Sequence, residues 1–210
     1  DYADDESFDL IISDHDRQHL HFFVEAGHPR VAWLPAFNIN PFVIPTDLPK
    51  QHNVSFVGQV GPYHPYRSHV LKHLADAGVE VNQCLVPQEA AANIYATSAI
   101  SLNCSLNADL NLRVFEVLAS GGFLLTDRAS LESGLDNLFQ VGTHLDVYRD
   151  EVELKEKVEF YLANPDKAAA IAQAGHALYL KEHTPTHKIR HLLDLLEGRE
   201  IDPKYSLKHD

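Results

Sequence analysis

The sequence predicts an α/β domain, a parallel β-sheet with helices on both of its faces. Two observations carry that expectation. Short apolar runs such as VSFV at 54–57, AISL at 99–102 and FLLT at 123–126 alternate with amphipathic stretches of helical period. That alternation is the signature of βαβ units, whose crossover helices cover both sides of the sheet. Glycines also stand where helices should stop, at Gly27, Gly78, Gly121 and Gly122, as expected for left-handed exits.

Taken in order, residues 1–6 (DYADDE) are an acidic lead-in. A short strand is expected at 8–13, a helix at 17–26 with Asp14 or Asp16 as its N-cap, and a second short strand at 30–34. The texture then changes. Positions 34–50 (LPAFNINPFVIPTDLPK) hold four prolines in 17 positions and no helical period. Proline fixes φ and removes an amide donor, so this stretch reads as an extended connector and a domain boundary. Beyond it come a strand at 54–57, a helix at 66–77 with Val70, Leu71 and Leu74 on one face, and a strand at 79–86. A short helix follows at 88–97, a strand at 99–103, a helix at 112–120, and strands at 123–126 and 145–148. The tail is helical. The segment 151–162 should bury Val152, Val158, Tyr161 and Leu162 and form the pairs Glu151/Lys155 and Glu153/Lys157. Asn164-Pro165 opens a helix over 166–181. A last helix at 186–196 carries Ile189, Leu192, Leu193 and Leu196 on one stripe. The organisation expected is a preceding-domain fragment with linker at 1–46, a ligand-binding domain at 47–182, and a returning helix with tail at 183–210.

Composition narrows the function. The chain is 45% hydrophobic and 22% charged, enough apolar surface for a core. Seventeen basic against 30 acidic residues give a net charge of -13, which opposes a nucleic-acid footprint. The longest apolar runs, at 8–12 and 121–125, fall far short of the roughly 20 residues of a transmembrane segment. Methionine is absent, and the 210 residues are expected to be a piece of a longer protein. Cys84 and Cys104 lack CxxC spacing, which fits small buried hydrophobes in a reducing, cytoplasmic compartment. Fourteen histidines include i,i+4 pairs at 15/19, 183/187 and 187/191. No HExxH or completing carboxylate accompanies them, and no metal site is expected.

In an open parallel sheet, ligands bind beyond the carboxyl ends of the strands. Four segments should meet there. Gly58-Gln59-Val60-Gly61 lies between a strand and the helix of Arg67; glycine admits close backbone approach, and a helix N-terminus favours an anion. The loop 103–111 (NCSLNADLN) offers Asn103, Asn107 and Asp109. Arg113 and Glu116 share one helix face at i,i+3. The arginine suits a phosphate, and the carboxylate can accept two hydrogen bonds from a vicinal diol such as a ribose. Ala119-Ser120-Gly121-Gly122 closes that helix. Each also has a plain reading: a βα turn, a solvated loop, an intrahelical ion pair and a C-cap.

The stretch 111–126 (NLRVFEVLASGGFLLT) resembles a motif of GT-B glycosyltransferases, in particular the "glycosyl transferases group 1" related to the CgeB spore-maturation proteins. VSFVGQ at 54–59, YRSHVLKHLADAGVEV at 66–81, ATSAISLNCS at 96–105 and the segment 138–184 stand in the same order as in that family. The resemblance implies a Rossmann-like C-terminal half of a GT-B fold plus a short fragment of the N-terminal, acceptor-side domain. It implies a glycosyltransferase that moves a sugar from a nucleotide-diphosphate donor to an unknown acceptor (glycan, lipid or protein). Glu116 would hold the ribose, Arg113 the diphosphate, and Gly58 the phosphate-proximal turn. No cofactor is implied beyond the donor substrate; the leaving diphosphate would be stabilised by Arg113 and backbone amides without a metal. The only Asp-any-Asp pattern near a predicted element, Asp14-His15-Asp16, falls in the preceding fragment. One departure stands out. The first glutamate of the E-x7-E pattern of many retaining relatives would fall on Ala108, with Asp109 beside it. The alternative is a non-catalytic, glycosyltransferase-like binding module.

Overall fold

The computed structural model describes residues 8–14, 17–28, 30–36, 48–199, 202–205 and 207. The acidic lead-in and most of the proline-rich connector (37–47) lie outside the described residues.

Before the connector, β1 (Ile11–Ser13) and β2 (Val31–Trp33) pair in parallel. The single helix expected between them is instead a 3-10 turn, Arg17–His19, followed by α1 (His21–Glu25). Leu20 stands at the N-cap of α1 with no side-chain capping bond, because the turn carries Leu20 and Arg17 into the interior.

After the connector the chain alternates: β3 (His52–Val57), α2 (Pro65–Asp76), β4 (Val81–Cys84), α3 (Gln88–Thr97), β5 (Ser98–Leu102), α4 (Leu112–Ala119) and β6 (Leu124–Asp127). Then come α5 (Leu135–Leu138), β7 (Asp146–Tyr148), α6 (Glu151–Ala163), α7 (Pro165–Glu182) and α8 (Pro185–Leu196). The strands form one sheet in the order β4-β3-β5-β6-β7, every pair parallel. This is the α/β architecture the sequence predicts. The order reverses between β3 and β5, and their carboxyl ends therefore splay open into a crevice.

Alternation along the strands builds two core layers. Val54 and Phe56 of β3, Leu125 of β6 and Tyr148 of β7 point to one face, with Val70 and Leu74 of α2 and Leu154 and Val158 of α6. Val57, Leu124 and Val147 point to the other, with Tyr95 of α3 and Val114, Phe115 and Leu118 of α4. Leu20 and Trp33, from before the connector, belong to this second layer.

Three assignments of helix faces change. In α6, Val152 is 59% exposed and Leu154 takes its place in the core, because 154, 158 and 161 form the i, i+4, i+7 stripe that meets the sheet. Glu153 pairs with Lys157 as expected, but Lys155 bonds Glu159, and Glu151 turns to His69 of α2. In α8 the apolar stripe is left largely open, with Ile189, Leu193 and Leu196 exposed, while Lys188 is buried. In α4, Leu112 is only partly buried; Val114, Phe115, Val117 and Leu118 supply the inner face. The 3-10 turns at Leu131–Ser133 and Pro203–Tyr205 and the short α5 carry no periodic signal in the sequence.

Candidate functional site

The crevice at the carboxyl edge is built by two loops. Gly58 and Gln59 leave β3, and Asn103 and Cys104 leave β5. Arg67, in the first turn of α2, joins them: its Nε donates to the Cys104 carbonyl at 2.9 Å and its Nη1 to the Gln59 carbonyl at 3.2 Å. The side chain is buried, and this burial together with the neighbouring Arg113 pushes its pKa down. Two guanidinium groups are thus held near each other. Both lie over the Phe56 ring, Arg113 at 4.8 Å and Arg67 at 5.8 Å from its centroid, within the range of a cation–π contact.

Arg113 is fixed from beneath. Its Nη1 donates to Asn103 Oδ1 at 2.8 Å. Asn103, fully buried, donates in turn to Asn111 Oδ1 and to Thr126 Oγ1. Asn111 stands at the N-cap of α4, yet its side chain makes no capping bond. Its engagement with Asn103 leaves the first amides of α4 uncapped, beside Arg113, and such amides favour an anion. Gly58 is required by this packing, since a Cβ there would overlap Arg113 Nη2.

Glu116 lies one turn along α4, on the same side as Arg113. Gln88 Nε2 donates to its Oε1 at 3.5 Å and Tyr95 OH to its Oε2 at 3.3 Å. Burial raises its pKa, with Arg113 as the main opposing influence. A carboxylate held by two donors from α3 keeps lone pairs for a further partner.

The loop 103–111 is clamped by Asp127, at the end of β6. Its Oδ1 accepts from the Ser105 amide at 2.8 Å and its Oδ2 from Ser105 Oγ at 2.5 Å, and burial raises its pKa. Ala108 adopts φ +53, a strained conformation for a residue with a Cβ; its carbonyl accepts from the Ser130 amide. Asp109 has a buried Oδ1 with no hydrogen-bond partner and adds to the field at Arg67.

The structure therefore gathers Gly58, Gln59, Arg67, Asn103 and Arg113 around one crevice, with Glu116 beside Arg113. Asn103 sits below the surface as a support rather than on it. Asn107 is exposed at the loop tip, outside this hydrogen-bonded set. Gln88, Tyr95, Ser105, Thr126 and Asp127 escaped the sequence reading. The signal that could have found Asp127 is its place at a strand's carboxyl end. Gln88 and Tyr95 are seven apart and share a helix face with nothing local to mark it. Among the described residues, no group of three His, Cys, Asp or Glu side chains is placed to hold a metal ion. A cavity of about 690 Å³ lies at the opposite, amino-terminal edge, lined by Lys50, Asn53, Ala99, Phe123 and Ala172 among others; none of the crevice residues reaches it.

Fold and site together define an open α/β domain with a cationic crevice at its topological switch point. The chain belongs to the Glycosyl transferase-like family, which matches residues 46–194. No curated protein sequence matches it. Among solved structures it is similar to Alr3699/HepE of Anabaena in complex with UDP-glucose, with TM-score 0.64, 14% identity, 90% of this chain and 64% of that one. Sucrose-phosphate synthase from Thermosynechococcus elongatus gives TM-score 0.65 at 13% identity, over 90% of this chain and 58% of that one. The pneumococcal O-GlcNAc transferase GtfA, in complex with UDP and GlcNAc, gives 0.60 at 12%, over 94% and 47%. The chain spans less than two thirds of the length of each. At such identities the likeness is one of fold.

Proposed function

We propose that this chain is the donor-binding half of a glycosyltransferase that takes its sugar from a nucleotide-diphosphate donor. The observation that carries the reading is the pair Arg67 and Arg113, held together over Phe56 at the switch point with Glu116 one helical turn away. Two adjacent guanidinium groups repel each other, and a dianionic diphosphate between them relieves that repulsion. The structural neighbours solved with UDP-glucose or UDP support a uridine donor.

In this reading the bond between the anomeric carbon and the diphosphate oxygen breaks toward the crevice. Arg113, the remaining donors of Arg67 and the first amides of α4 meet the charge that develops on the leaving group, in place of a metal ion. Glu116 accepts hydrogen bonds from the ribose hydroxyls. The acceptor is a glycan, lipid or protein bound outside these residues, the location is cytoplasmic, and the subgroup is the CgeB-like one. The residues before the connector belong to the acceptor-side domain.

Calorimetry with UDP tests the reading. Glu116→Ala should cost one to two decades of affinity, since a hydrogen bond to a charged group contributes about 1.5–3 kcal/mol. Arg113→Ala should weaken UDP far more than uridine. Unchanged UDP affinity in both variants would move the site elsewhere. No binding of UDP, GDP or ADP by the parent would favour the non-catalytic module instead.

A further inference from the structure

Eleven buried side-chain polar atoms lack a hydrogen-bond partner among the described residues, and six of them belong to one cluster. They are Lys188 Nζ, both ring nitrogens of His183, His191 Nδ1, Tyr205 OH and Trp33 Nε1. The cluster lies where α8 and the 203–205 turn close over Phe115 of α4 and over Trp33. Lys188 Nζ sits 5.2 Å from the Phe115 ring centroid and 5.1 Å from that of Tyr205. The Tyr205 ring meets His191 at 4.7 Å and Trp33 at 6.2 Å, and His183 packs edge-on against Phe115 at 5.6 Å. Lys188 is 1% exposed.

An amine buried to this degree with no acceptor is expensive, and such a group is normally paired. The carboxylates nearby are already engaged: Glu182 bonds Lys181 and Lys204, and Asp202 also faces Lys204. Donors outnumber acceptors in the cluster, although the phenol and each neutral imidazole also carry one acceptor. The lysine has three donors, the indole one, the phenol one, and each neutral imidazole one. Lys188 also lies in the second turn of α8, whose N-cap Thr184 makes no capping bond, and a lysine side chain leans back toward its helix N-terminus. The amine and the positive end of the helix dipole therefore reinforce each other, and both call for negative charge.

We propose that this cluster is a binding site for a single small monovalent anion of halide size, seated between Lys188 Nζ and the Tyr205 hydroxyl. Closure decides the size, because Lys188, Tyr205 and Trp33 are all buried. One unpaired cation decides the charge. The site lies under the buried face of α4, apart from the cationic crevice, and does not depend on what the crevice binds.

The groups that face Lys188 are His183 after α7, His187 and His191 on α8, and Lys204 and Tyr205 on the terminal turn, with Glu182 and Asp202 next to Lys204 beyond them. Burial, with Lys204 adding, brings the Lys188 pKa down to about 7, and His183 stays neutral, its own pKa lowered by burial to about 3. An anion should therefore bind best below neutrality, where the amine is protonated. The test compares the thermal midpoint of the full chain in sodium chloride or bromide with that in sodium gluconate at equal ionic strength. At about pH 6, halide at ten times its Kd should raise the midpoint by roughly 3–6 °C, and the gain should fade by about pH 10. Lys188→Met should fold, show a higher halide-free midpoint, and lose the halide response. Trp33, the one tryptophan of the chain, reports occupancy directly: bromide should quench it along a saturating curve in the parent and a linear one in the variant. Equal midpoints in halide and gluconate, or a Lys188→Met protein that responds as the parent does, would overturn the site.

Discussion

At Gly58 a single hydrogen atom decides where Arg113 can lie. The chain has φ +156 there, which strains any residue with a Cβ and costs some stability, and the methyl group would also displace the end of the arginine. Gly58→Ala should therefore leave the fold intact by circular dichroism yet lower UDP affinity about tenfold or more, the scale of a lost charge-assisted bond. Glu116 gives a second outcome at this scale. Its pKa is raised by burial, so above its unfolded value the folded form holds a proton that the unfolded form has released. Stability then falls as pH rises from the unfolded pKa to the folded one. Glu116→Gln should stabilise the unliganded protein at neutral pH, flatten that slope in urea titrations, and weaken UDP. Arg113 and Glu116 were legible in the sequence because i,i+3 spacing on a helix that follows a polar loop is a local fact. The partners of Glu116, Gln88 and Tyr95, stand on another helix, and only the packing of α3 against α4 brings them in. Asn103 was legible as a polar residue at a strand end, but residue type does not say whether it lies on the crevice surface or beneath it.

Among the elements, existence was easier to read than orientation. The helices longer than about eight residues, α3 apart, announce themselves through apolar period and a glycine or proline near the end; α3 runs directly into β5 at Ser98. Which side turns inward depends on the neighbour. In α8, Ile189, Leu193 and Leu196 make the better apolar stripe, yet Lys188 is what the terminal turn and Phe115 enclose. The helix α7 depends on a residue that periodicity passes over. At Gly175 a Cβ would run into the His144 carbonyl and Leu118, neither of which can move away freely, because α7 lies against α4 there. Gly175→Ala should lower the unfolding free energy by about 1–3 kcal/mol through overpacking, seen as a lower urea midpoint, and it should leave the nucleotide affinity of the remaining folded protein unchanged.

For the whole molecule, the alternation of strands and helices fixed the class of fold, while the strand order is carried by long-range pairing that no local window contains. Its buried bases also set a pH profile. His183, lowered to about 3, supports folding above its unfolded value and withdraws that support as pH falls from about 6.5 toward 3. Lys188, lowered to about 7, adds stability as pH rises from there toward its unfolded value near 10.5. Stability should therefore be greater at about pH 8.5 than at about pH 6 by urea unfolding, although a net charge of -13 pulls the other way. Lys188→Met should remove most of the difference. The arginine that ties the β3 and β5 loops has a kinetic consequence. With Arg67 bonded to carbonyls on both lips, the two loops are tied together before any ligand arrives. Stopped-flow mixing with UDP should give one phase whose rate climbs linearly with concentration, without the plateau that an isomerising lid imposes.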